Sequence, residues 1–161
     1  MLRLALIAAV LVPLAGCPAP AETTPIEPPV LPGGPAAVRA PDLDAAMAKW
    51  EAADLGAYTM TLRRMCFCPT PDYTGPFAVT VRDGEVASVR LDGATVPAER
   101  GMSVEDLFEL LEDAYDREAE VVEVSFDPDL GYPTAINIDY SSMMADEEIG
   151  YGVSDLKAAG R

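Results

Sequence analysis

The sequence contains no histidine. That removes the commonest general base and the commonest metal ligand. Neither a Ser-His-Asp nor a Cys-His catalytic set can be assembled from this chain alone. Zinc would have to draw on Cys66, Cys68 and carboxylates, a poor donor set for a closed tetrahedral centre. Positive charge is scarce as well: 11 Lys and Arg stand against 27 Asp and Glu, a formal net charge of −16. A chain this acidic repels nucleic acid and anionic headgroups, which argues against a DNA or RNA partner. The charge fits attraction to cations or a basic partner, or simply a solvated acidic surface.

What is present begins at the first residues. Arg3 is followed by an apolar run, Leu4 to Leu14, broken by Pro13, and then by the small residues Ala15 and Gly16 before Cys17. These are the charged, apolar and small-residue parts of a signal peptide. The run is too short for a spanning helix, which needs about 20 apolar residues. Leu14-Ala15-Gly16-Cys17 resembles the lipobox of bacterial lipoproteins. The resemblance implies cleavage after Gly16 and a new N-terminal Cys17 carrying diacylglyceryl and acyl lipid. Chains in that number anchor stably where one is marginal. It also implies a position in the cell envelope outside the cytoplasm, with membrane contact through that lipid. Pro18 replaces the Asp that holds such lipoproteins at the inner membrane, which favours the outer membrane if the source is Gram-negative. No other cofactor is expected.

Residues 17–41 read as a tether, with Pro at 18, 20, 25, 28, 29, 32, 35 and 41 around Gly33-Gly34. Such segments are extended and semi-rigid. Residues 1–16 are thus the expected signal peptide, and 42–157 a single α+β domain.

Within it, Leu43, Met47 and Trp50 fall at i, i+4 and i+7, so residues 42–54 read as an amphipathic helix ended by Gly56. Tyr58, Met60 and Leu62 alternate with polar residues as in a strand, as do Phe77, Val79 and Val81. Asp83-Gly84 signals a hairpin into Val86–Leu91, closed by Asp92-Gly93. Ser103 is a helix N-cap with Asp106 three residues on, ahead of the apolar face Val104, Leu107, Phe108, Leu111 and Tyr115. Val122 to Phe126, Ile136 to Tyr140 and a short Ile149 to Val153 read as strands. The order predicts two tandem helix-plus-three-strand antiparallel meander units, with the helices packed on one face of the sheet. That layout resembles tandem units of secreted inhibitor and envelope-assembly lipoprotein domains.

Two segments could carry chemistry. Cys66-Phe67-Cys68 should oxidise outside the cytoplasm, but two cysteines at i and i+2 of a flat strand lie about two 3.3 Å steps apart. That is too far for a bridge unless the backbone turns, and Pro69 and Pro71 make a strand end plausible. The apolar phase switches at Arg63-Arg64, which suggests a bulge that sends Met65 and Phe67 inward and both cysteines outward. The pair is then a local disulfide, a redox or metal-passing dithiol, or two separate thiols. Asp127-Pro128-Asp129-Leu130-Gly131-Tyr132-Pro133 reads first as a turn, and second, with Asp139, as a weak calcium site of hard oxygens whose spacing is not that of an EF-hand loop. Asp146-Glu147-Glu148 reads as a solvated charge run.

Trp50 ahead of Tyr58-x-Met60-x-Leu62, Cys66-Phe67-Cys68, Val81-Arg82-Asp83-Gly84-Glu85-Val86, Leu107-Phe108, and Gly131-Tyr132-Pro133-Thr134 through Ile138-Asp139 resemble an uncharacterised bacterial lipoprotein family, domain of unknown function 6174. The resemblance covers roughly residues 45 to 156. It implies a one-domain envelope protein and brings no activity with it. The leading expectation is a non-catalytic binding or structural module for an envelope protein or small ligand. The alternatives are redox or metal handling by Cys66 and Cys68, and inhibition of an envelope enzyme.

Overall fold

The computed structural model describes residues 40, 42–66, 68, 70–141, 143 and 148–159. The expected signal peptide, Cys17 and nearly all of the tether lie outside these residues, as do Phe67, Asp146 and Glu147.

Helix α1 (Leu43–Ala53) buries Leu43, Ala46 and Trp50 on one stripe. It ends at Asp54, which adopts φ 44°, rather than at Gly56. Asp is among the few residues with a side chain that visit the left-handed region routinely. Helix α2 (Val104–Asp116) starts at the expected capping box. The Asp106 N–H donates to Ser103 Oγ at 3.1 Å, and the Ser103 N–H donates to an Asp106 carboxylate oxygen at 2.7 Å. Two N–H groups that the helix itself leaves unpaired are thereby satisfied. Val104, Leu107, Phe108, Leu111 and Ala114 form its buried face.

Seven strands complete the domain: β1 (Ala57–Cys66), β2 (Phe77–Arg82), β3 (Glu85–Leu91), β4 (Ala94–Val96), β5 (Val121–Phe126), β6 (Pro133–Asp139) and β7 (Glu148–Ala158). They form one sheet in the order β4-β3-β2-β1-β7-β6-β5, antiparallel throughout. Asp83-Gly84 joins β2 to β3 with φ of 52° and 77°. Positive φ at both central residues matches the right-handed twist of a hairpin. Asp92-Gly93 repeats that turn, with φ of 50° and 82°, between β3 and β4.

The two-unit expectation is overturned by this topology. β1 through β4 meander to one edge, α2 carries the chain across, and β5 through β7 meander back to the centre. The last strand is not short: β7 has 11 residues and pairs with β1 from Tyr58↔Ala158 to Cys66↔Ile149. The domain's two ends therefore form one seam in mid-sheet. Period-2 alternation assigns residues to faces but does not say which strands are neighbours. The inhibitor reading, which rested on tandem units, loses its footing with them.

Both helices cover the same face. Trp50 meets Tyr58 edge-on at 5.2 Å, and Phe108 stacks on Phe126 at 6.4 Å. One buried cluster unites these helices with Met60, Leu62, Phe77, Val79, Val81, Val89, Ile136, Ile138, Tyr151 and Val153 of the sheet. Residues alternating with these, such as Thr59, Thr61 and Arg63, point to the opposite face, and they are exposed or half-buried. No helix among the described residues is long and apolar enough to cross a membrane.

Candidate functional site

The open sheet face carries the most distinctive chemistry. On β1, Thr59 lies between Thr80 of β2 and Lys157 of β7, and Thr61 between Ala78 and Ser154. Thr80 pairs onward with Ser88, and Ala78 with Arg90. Arg63 sits opposite Gly152, and Arg82 opposite Glu85. Residues directly opposite one another share a face. A shallow dish results, with Thr59, Thr61, Ala78, Thr80 and Ser88 in its floor and Arg82, Arg90, Asp155 and Lys157 around it.

The cations of this face are available. Off the face, each described Lys or Arg is engaged. Arg64 lies over the Tyr151 ring at 5.3 Å, Arg100 over Tyr73 at 3.6 Å, and Arg117 over Tyr140 at 4.1 Å. The Lys49 ammonium donates to the Pro128 carbonyl at 2.8 Å. Arg63, Arg82, Arg90 and Lys157 are exposed. Among the described residues none of the four is held in an ion pair, side-chain hydrogen bond or ring contact. The neighbouring half of the face, on β5, β6 and β7, is different. Ser125, Ala135, Gly152, Asn137 and Gly150 keep it low, and Glu123, Asp139 and Glu148 give it negative charge.

Cys66 and Cys68 form a disulfide with their Cα atoms 5.1 Å apart. The bridge lies where β1 ends at Cys66, as the turn requirement demanded. The expected bulge at Arg63-Arg64 is absent: β1 and β7 stay in register from Thr61 through Cys66, and the irregularity falls between Thr59 and Thr61. Met65 accordingly faces out at 51 % exposure rather than entering the core. Arg64 takes the helix-side position and stacks on Tyr151, which is why the apolar pattern breaks there. A bridge closing so short a loop contributes little chain entropy, about 1–2 kcal/mol. Mild reduction is therefore expected to leave the domain folded with a modest fall in Tm, read by thermal unfolding with and without reductant.

Asp127, Asp129 and Asp139 do not converge. Asp127 follows β5, whereas Asp139 pairs with Val121 at that strand's opposite end. Asp127 instead builds the turn: its Oδ1 accepts from the Asp129 N–H at 3.0 Å and the Leu130 N–H at 2.7 Å. The Asp139 carboxylate accepts from the Ser141 N–H at 2.9 Å. Among the described residues no group of three or more Asp, Glu or Cys is placed to hold a metal ion.

A partly buried polar knot joins the helices to the sheet. Tyr58 donates to Glu105 at 2.8 Å and accepts from the Val104 N–H at 2.7 Å, while the Trp50 indole donates to the other Glu105 oxygen at 2.9 Å. It consumes every group it contains and joins α1, β1 and α2. Its role is structural.

Fold and surface together define an α+β domain, two helices on one face of a seven-stranded antiparallel sheet, with the other face, among the described residues, open and cationic in one half. The chain belongs to a family of unknown function, DUF6174, which matches residues 42–158. No curated protein and no solved structure is significantly similar to it.

Net charge does not reveal the open-face cations, because it averages over the whole chain. The signal was nonetheless there: Thr80 and Arg82 alternate with Val79 and Val81, and Ser88 and Arg90 flank Val89.

Proposed function

We propose that the chain is a lipid-anchored, extracytoplasmic binding module that works without catalysis through its open sheet face. The observation that carries this reading is the segregation of charge. In a chain of net charge −16, half of the described Lys and Arg side chains share one face that no other described element covers, and lack partners there among the described residues. Leu14-Ala15-Gly16-Cys17 supports the lipid anchor, and the Cys66–Cys68 bridge supports an oxidising compartment.

Gly152 offers a direct test, since a Cβ there meets nothing within 4 Å. A photoreactive amino acid at 152 in the full chain should crosslink to one discrete envelope component in intact cells. The same group at the exposed helix position Glu109 should not. Equal labelling from both positions, or none from 152, would overturn the open-face reading. Cys17→Ser should move the protein from the membrane fraction to the soluble fraction; unchanged fractionation would remove the anchor.

A further inference from the structure

Strand geometry fixes the layout of the four free cations. Steps of about 3.3 Å along a strand and about 4.8 Å between strands place the Cα atoms of Arg63, Arg90, Arg82 and Lys157 at the corners of a quadrilateral about 12–14 Å on edge. Arg and Lys side chains are long enough to lean inward from each corner towards its centre. The floor they would meet there is made of the hydroxyl-bearing Thr59, Thr61, Thr80 and Ser88. Hydroxyls donate to oxyanions, and the planar guanidinium fork matches phosphate oxygens two at a time.

We propose that this half of the open face binds a compact ligand carrying two or more phosphate groups, an assignment that rests on the open-face reading above. Arg63, Arg82, Arg90 and Lys157 supply the charge, and the Thr59, Thr61, Thr80 and Ser88 hydroxyls the orientation. Asp155 in the dish and Glu85 opposite Arg82 limit the net positive charge, so several phosphates are needed for tight binding where one would not suffice. The acids of the other half select against a bilayer. A planar anionic surface laid on the whole face would meet Glu123, Asp139 and Glu148 at once, whereas a compact ligand avoids them.

Tripolyphosphate is the probe, added to the full chain in detergent and followed by calorimetry and backbone amide shifts. Saturable binding is expected, with shifts centred on Thr59, Thr61, Thr80 and Ser88. Arg82→Gln and Arg90→Gln should each weaken it about tenfold, the scale of one charged hydrogen bond. Lys49→Gln, off the face, should leave it unchanged. Citrate should bind at least about tenfold more weakly, and rising salt should weaken binding of both. No saturable binding, shifts centred elsewhere, citrate equal to tripolyphosphate, or tighter binding to phosphatidylglycerol vesicles would each overturn the assignment. The photocrosslink from position 152 is independent of ligand chemistry. If tripolyphosphate fails and that crosslink persists, the phosphate assignment falls and the open-face reading stands.

Discussion

Gly131→Ala is expected to cost about 2–5 kcal/mol of stability. Two effects add. Gly131 holds φ at +82°, and a residue with a Cβ loses about 1–2 kcal/mol in the left-handed region. The new methyl would also strike the Ala46 carbonyl oxygen and come within 2.9 Å of Lys49 Cβ, an overpacking that typically costs about 1–3 kcal/mol. Neither side can give easily. The loop is closed on itself by the Gly131 N–H to Asp127 O bond at 3.0 Å and the Asp127 N–H to Tyr132 O bond at 2.9 Å. It is tied to α1 by Lys49 on the Pro128 carbonyl and by Tyr132 against Trp50. Gly93→Ala is the matched control, with the same φ of +82° and nothing within 4 Å of the added Cβ. Chemical denaturation should give it only the backbone part, about 1–2 kcal/mol. Equal losses at the two positions would mean that α1 does not press on the loop as described.

That loop marks the boundary of what was legible in the sequence. Asp, Pro and Gly announced a turn correctly, because each acts within a few residues of itself. The same holds for the Ser103–Asp106 box and the Asp83-Gly84 hairpin, both local devices. β4 was missed because three residues, Ala94 to Val96, are too few to display alternation. The β1–β7 seam was missed because it joins the ends of the domain, and no local pattern records a partner that distant. Met65 departs from the expected inward position for a related reason. Beyond Leu62 the helix-side position is occupied by Arg64 stacked on Tyr151, so polarity ceased to report the face. For the candidate site, the outward residues could be read from alternation, but their union into one dish depends on β3, β2, β1 and β7 lying side by side.

The Tyr58 knot yields the clearest pH dependence. Burial raises the Tyr58 pKa, with the Glu105 carboxylate adding to the rise and the Val104 N–H opposing it. Tyr151, Tyr132 and Tyr140 are also raised, each chiefly by burial. The unfolded phenol titrates near about 10. Below that pH the hydroxyl keeps its proton in both states, and its contribution to stability is complete. Above it the unfolded chain releases protons that the folded chain retains, so stability falls as pH rises towards the folded value. Tyr58→Phe should be less stable near neutrality by about 1–3 kcal/mol, since the buried Val104 N–H loses its acceptor and Glu105 loses a donor. The variant should also show a shallower decline between about pH 10 and 11.5, because one of the raised phenols is gone. Urea midpoints measured across that range for both proteins read the two effects separately. Parallel declines would mean that Tyr58 titrates in the folded domain as it does in the unfolded chain. A wild-type midpoint that rises with pH would reverse the sign of the linkage altogether.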